Sequence, residues 1–98
     1  MILYFVTDGG MSKIGITDDI ERRLGELRRR YKRPGLRVVI SVPGDCELER
    51  RVRCLMSALR PGVAPAPRAA RPGTHRCEWF AGSIGPGDAL RILEVATR

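Results

Sequence analysis

Five arginines, Arg22, Arg23, Arg28, Arg29 and Arg30, crowd into a short stretch that follows directly on a strand-like run holding a glycine, Ile14-Gly15-Ile16. A guanidinium fork matches the oxygens of a phosphate in two-point contacts, so this residue type in such density points to phosphate chemistry. A glycine inside a strand marks a bulge or the close approach of another group. Thr17 or Asp18 offers a side-chain oxygen for a helix N-cap, acids follow in the first turn, and Ile20, Leu24 and Leu27 recur at helical spacing. The spacing therefore predicts a strand that turns directly into a helix, with the arginines on the side away from the apolar stripe. Such a unit is suited to holding a phosphate.

Charge extends this reading to the whole chain. Of 98 residues, 18 are Lys or Arg and 11 are Asp or Glu, a formal net charge of +7, and the isoelectric point is near 10.4. Nearly all the cations are arginine, which points towards a nucleic-acid partner. The length and a hydrophobic share of 43% predict a single domain over residues 1–98 with a small core. No run approaches the ~20 apolar residues of a membrane span, and the amino terminus lacks the layout of a secretory signal, so a cytoplasmic protein is expected. Cys46, Cys54 and Cys77 are odd in number, widely spaced and accompanied by one histidine. That pattern indicates neither a disulfide framework nor a structural zinc site, and reads as buried or incidental thiols.

The elements that must position the arginines follow from periodicity. Met1 to Thr7 is an unbroken apolar run, ended by Asp8, Gly9 and Gly10, and Met11 to Ile16 returns as its hairpin partner. A first helix is expected from about Asp18 to Tyr31, stopped by Pro34 and Gly35. Leu36 to Val42 reads as a third strand, central or half-covered. Asp45 is placed to cap a second helix reaching to about Arg60, with Leu48, Val52, Leu55, Met56 and Leu59 inward and Arg50, Arg51 and Arg53 turned to solvent. Residues 61 to 75, rich in Pro, Ala and Gly, predict an irregular loop. Cys77 to Phe80 returns to the core, 83 to 87 forms a turn, and a last helix runs from about Asp88 to Thr97 with Leu90, Leu93 and Val95 or Ala96 inward. The expected class is α+β: a small three-stranded antiparallel sheet flanked by helices, in the order ββαβα plus a C-terminal helix.

Several motifs in that order carry a resemblance. Ile2-Leu3-Tyr4 lies on the first strand, Lys13-Ile14-Gly15 on the second, and Thr17 follows two residues later. Asp19-Ile20-Glu21-Arg22-Arg23-Leu24 opens the first helix, Leu48-Glu49 lies in the second, and Glu78-Trp79-Phe80 comes near the end. In these residues the chain resembles the GIY-YIG nuclease superfamily, in the small phage and bacterial branch whose second motif reads Lys-Ile-Gly. The likeness spans the chain except for 61–75. It implies an endonuclease in which Tyr4, Lys13, Arg23 and Glu49 are catalytic. Arg22, Arg28, Arg29, Arg30 and Arg53 are the expected contacts to the nucleic-acid backbone.

Phosphodiester hydrolysis needs an activated water, neutralisation of charge on the phosphorane-like transition state and help for the departing 3′ oxygen. The resemblance implies that Glu49 binds Mg²⁺ (or Mn²⁺), that Arg23 holds the phosphate or the attacking water, and that Tyr4 acts as or assists the general base. A phenol ordinarily titrates near pH 10, so that last role calls for a cationic neighbour or a water relay. Lys13 could supply the cation from the adjacent strand. Each residue also has a plainer reading: Tyr4 a core aromatic, Arg23 a solvated cation, Glu49 a helical partner of Arg53, Glu78 a surface residue beside core Trp79 and Phe80, His75 incidental.

The chain departs from the branch at three places. Lys13 replaces a tyrosine, which leaves open whether it is a base, a phosphate ligand or the mark of a weakened site. Arg53 and Met56 stand where a histidine and an aromatic are common, and the later asparagine has no counterpart. The expected function is a metal-dependent endonuclease acting on DNA, with no membrane role and with a homodimer or partner protein as the source of any specificity. The alternative is a catalytically inactive nucleic-acid-binding module of the same fold, and a protein-interaction domain without phosphate affinity is a third.

Overall fold

The computed structural model describes residues 1–60, 62 and 79–98. Two strands, β1 (Ile2–Thr7) and β2 (Met11–Thr17), are followed by α1 (Ile20–Arg30), β3 (Arg37–Pro43), α2 (Cys46–Leu59), β4 (Trp79–Ala81) and α3 (Pro86–Ala96). All strand pairs are antiparallel, in the order β3-β1-β2-β4. The fold is α+β as expected, and the expected three-stranded sheet is extended at its β2 side by the short strand β4. The aromatic return there pairs with β2, Lys13 opposite Trp79 and Ser12 opposite Phe80. Apart from Gly62, the expected loop at 61–75 lies outside the described residues, as do Cys77 and Glu78.

The unalternating first run becomes the inner strand β1, covered on both faces from Leu3 to Thr7. Successive side chains of a strand point to opposite faces. Leu3 and Phe5, with Ile14 and Phe80, meet Val52 and Met56 of α2 and Ala89, Ile92, Leu93 and Ala96 of α3. Tyr4 and Val6, with Met11 and Trp79, meet Leu27 of α1 and Leu36. Each fully buried side chain of this size contributes roughly 1.5–3 kcal/mol. The sheet thus has α1 on one face and α2 with α3 on the other.

Local chemistry shifts some boundaries. Asp19, not Thr17 or Asp18, caps α1, its carboxylate accepting from Arg22 N, while Thr17 Oγ1 accepts from Asp19 N at 3.1 Å. Asp45 caps α2 as expected, accepting from Leu48 N at 2.9 Å. The helix α3 begins earlier than expected because Pro86 suits a first helical position, where no N–H is needed. Ala89, Ile92, Leu93 and Ala96, spaced i, i+3, i+4 and i+7, face inward, and Leu90 and Val95 are exposed, against the expectation for Leu90. β3 is an edge strand, with one residue, Val39, interrupting its register against Phe5 and Val6. Cys46 and Cys54 are exposed free thiols rather than buried ones. Among the described residues no helix is long and apolar enough to cross a membrane.

Candidate functional site

Ile2 pairs with both Thr17 and Pro43. The end of β2 that leads into α1 and the end of β3 that leads into α2 therefore lie side by side at one end of the sheet. Arg23 and Glu49 hold equivalent places there: each stands four residues after its helix cap, Asp19 or Asp45. Arg23 is on the α1 face and Glu49 on the α2 face.

On the α1 face the register sets Tyr4 opposite Gly15. A side chain at residue 15 would have its Cβ 2.6 Å from Tyr4 Cζ, so the hydroxyl end of the ring lies against the glycine. This is the close approach that the glycine signals. Tyr4 is 1% exposed, and its hydroxyl meets the Arg23 guanidinium. Hydrogen bonding to that hydroxyl holds Arg23 above the ordinary arginine range, against the opposing effect of burial, and Glu26 adds to it. Glu26 Oε2 accepts from Arg23 Nη1 at 3.3 Å. Arg23 Nε is buried and meets no acceptor among the described residues. A buried donor of this kind is costly until an acceptor arrives.

Lys13 is also buried. Its Nζ donates to Ile14 O at 3.1 Å and lies 5.8 Å from the Tyr4 ring centre and 5.9 Å from that of Trp79. The structure therefore brings Tyr4, Lys13, Gly15 and Arg23 together.

Glu49 is 7% exposed and its two carboxylate oxygens accept from Arg53 Nη1 at 3.1 and 3.4 Å. Arg53 was expected to turn to solvent; instead its side chain folds back along α2 onto Glu49 and is 17% exposed. The arginines expected to meet nucleic acid divide in the same way. Arg28 Nε donates to Leu36 O at 2.9 Å, tying the end of α1 to the chain that follows it, and Arg22 pairs with Asp18 at 2.8 Å on the surface. Arg29 and Arg30 join Arg23, Glu26 and Leu27 around an open depression of about 420 Å³.

Residues 1–96 match the T5orf172 domain. The chain belongs to the T5orf172 domain family. Neither a curated protein nor a solved structure matches it. The T5orf172 domain is nuclease-related, and in this T5orf172 chain the match runs through the four strands and three helices described and the cluster around Tyr4. Glu26 and Trp79 are neighbours of that cluster without having been expected there. The i,i+3 spacing of Arg23 and Glu26 is the signal that reveals the first. The second depends on the pairing of β4 with β2, which no local pattern encodes.

Proposed function

We propose that this chain is a metal-dependent endonuclease of the GIY-YIG type, hydrolysing phosphodiester bonds in DNA. The observation that carries the reading is Arg23: a guanidinium set against the Tyr4 hydroxyl, with a buried Nε awaiting an acceptor, beside a depression bordered by two more arginines. A phosphate oxygen is the acceptor such a donor fits.

The residues present also fit a divalent cation. Among the described residues no three His, Cys, Asp or Glu side chains form a cage, but Mg²⁺ keeps most of its waters and needs only one or two carboxylates beside a substrate phosphate. Glu49, the one buried carboxylate among the described residues, would hold it. When bound, the ion supplies charge neutralisation at the phosphate and the leaving oxygen.

The chain's own groups do the rest. Arg23 donates to a non-bridging oxygen and fixes the phosphate at the sheet end. Because Tyr4 is covered, a reacting water reaches its hydroxyl past Arg23, whose side chain is 37% exposed; a phosphate that draws Arg23 outward uncovers the phenol. With its own proton passed to bulk water, the Tyr4 phenolate takes the proton from that water as the water oxygen bonds to phosphorus and the 3′ oxygen leaves, Lys13 and Arg23 supplying the cationic surroundings this transfer needs. Lys13 acts from beside the Tyr4 ring, its Nζ held by Ile14 O.

The test is nicking of a supercoiled plasmid at low salt with Mg²⁺ or Mn²⁺. Nicking that needs the metal and disappears in Glu49→Ala and Arg23→Ala supports the assignment. Equal plasmid binding by all three proteins with no cutting would replace it with an inactive binding module, the reading favoured by the Arg53 guanidinium seated on Glu49.

A further inference from the structure

We infer that Arg53 is an internal counter-ion that occupies the Glu49 carboxylate in the metal-free protein, must give way when a divalent cation binds there, and so sets the cation affinity of the site. The inference rests on the assignment of Glu49 as the cation-holding residue.

The ion pairs of α2 differ in kind. Arg50 and Arg51 both reach Glu47 at 3.3 Å with side chains 53–63% exposed, and pairs so wet hold their partners weakly. The Arg53–Glu49 pair has side chains 17% and 10% exposed. A carboxylate removed from water to that degree requires a cation at close range. Arg53 provides it, and the geometry is specific: one nitrogen, Nη1, sits between the two oxygens at 3.1 and 3.4 Å, across the position a chelated ion would take. An ion bound to either oxygen would face a guanidinium charge a few ångströms away at reduced dielectric. The two cations therefore compete for one carboxylate.

Displacement has a natural outlet. Arg53 cannot lose its charge, so leaving Glu49 requires another acceptor, and an anionic phosphate at the sheet end is one. Cation binding and phosphate binding should then favour each other, each supplying what the other displaces.

The experiment is titration of the full chain with Mn²⁺ alone, reading free Mn²⁺ by its paramagnetic resonance signal, for wild type, Arg53→Gln, Arg53→Met and Arg53→Lys. Arg53→Gln is expected to bind Mn²⁺ about tenfold tighter than wild type, Arg53→Lys to stay near wild type, and Glu49→Gln added to Arg53→Gln to abolish the gain. Circular dichroism establishes that each variant folds, and Arg53→Met carries the comparison should Arg53→Gln not fold. Unchanged or weaker binding in both neutral variants, with wild-type binding still lost in Glu49→Gln, overturns the counter-ion and leaves Glu49 as the cation ligand. A gain that survives Glu49→Gln, or no Mn²⁺ binding in any variant, overturns both.

Discussion

Tyr4 and Gly15 face each other across the inner strand pair, and the tyrosine ring fills the space that any side chain at residue 15 would need. The glycine is there for what lies over it. Its absent Cβ is what lets the phenol lean over β2 to meet Arg23 on α1, so the strand, the ring and the helix are positioned by one missing atom.

Gly15→Ala should therefore act as an overpacked core substitution. We expect a loss of roughly 1–3 kcal/mol in urea unfolding, with any plasmid nicking falling more steeply than plasmid binding because the ring is pushed off Arg23. Stability equal to wild type would mean that the ring relocates without cost, contrary to the packing described.

Acid should weaken one particular tie. Burial alone would raise the Asp8 carboxyl, but the Met11 and Gly10 N–H groups and the Arg33 guanidinium outweigh it and hold it below its ordinary value. A carboxyl so depressed contributes stability that is fully present above the unfolded value of about 4 and is lost as pH falls through the lower folded value. Urea midpoints for wild type and Asp8→Asn should differ at neutral pH and converge below about pH 4. A gap that persists undiminished to strongly acid pH would show that the carboxylate charge is not its source.

The slot between Tyr4 and Trp79 fits an ammonium, with ring centres 5.8 and 5.9 Å from Nζ. Lys13→Arg keeps the charge but inserts a broader planar head, for which we expect a cost of about 1–3 kcal/mol. Trp79 is the chain's one tryptophan, so its fluorescence reads the slot directly. An emission maximum and unfolding curve identical to wild type would show that the slot is roomier than described.

Backbone contacts should fall to the arginines beside Arg23. If the depression follows a DNA strand, Arg29→Ala and Arg30→Ala should each reduce the logarithmic salt dependence of plasmid binding by about 0.9. Arg28→Ala should instead lower the melting temperature, since its Nε holds Leu36 O. Filter binding across a salt series, set beside thermal melts, separates the two effects.

These residues also show how far a sequence can be read. The order of elements, the two-sided burial of β1, the Asp45 cap and the likeness of the Tyr4 and Lys13-Ile14-Gly15 motifs all lie in local pattern, which one chain displays. The Asp19 cap was one residue away from the expectation because Thr17, Asp18 and Asp19 are all competent acceptors, and only the entry of the chain from β2 chooses among them. Leu90 and Leu93 fit one helical stripe and Ala89, Ile92, Leu93 and Ala96 another; packing against the core selects the second, which the small alanines conceal in the sequence. Trp79 beside Lys13 depends on a pairing between strands far apart in the chain. Arg53 is the instructive case: the i,i+4 spacing to Glu49 was visible, but not that packing would remove the pair from water.

The irregular register of β3 has a consequence for the protein's behaviour in crowded solution. An outer strand rich in valine and isoleucine invites a second chain to add to it, the first step towards aggregation. Here Arg37 places a charge at one end, Val39 breaks the ladder, and Pro43 lacks an N–H at the other end. Only Ile40, Ser41 and Val42 remain as an uninterrupted run for an incoming strand, too few to seed a stable intermolecular sheet.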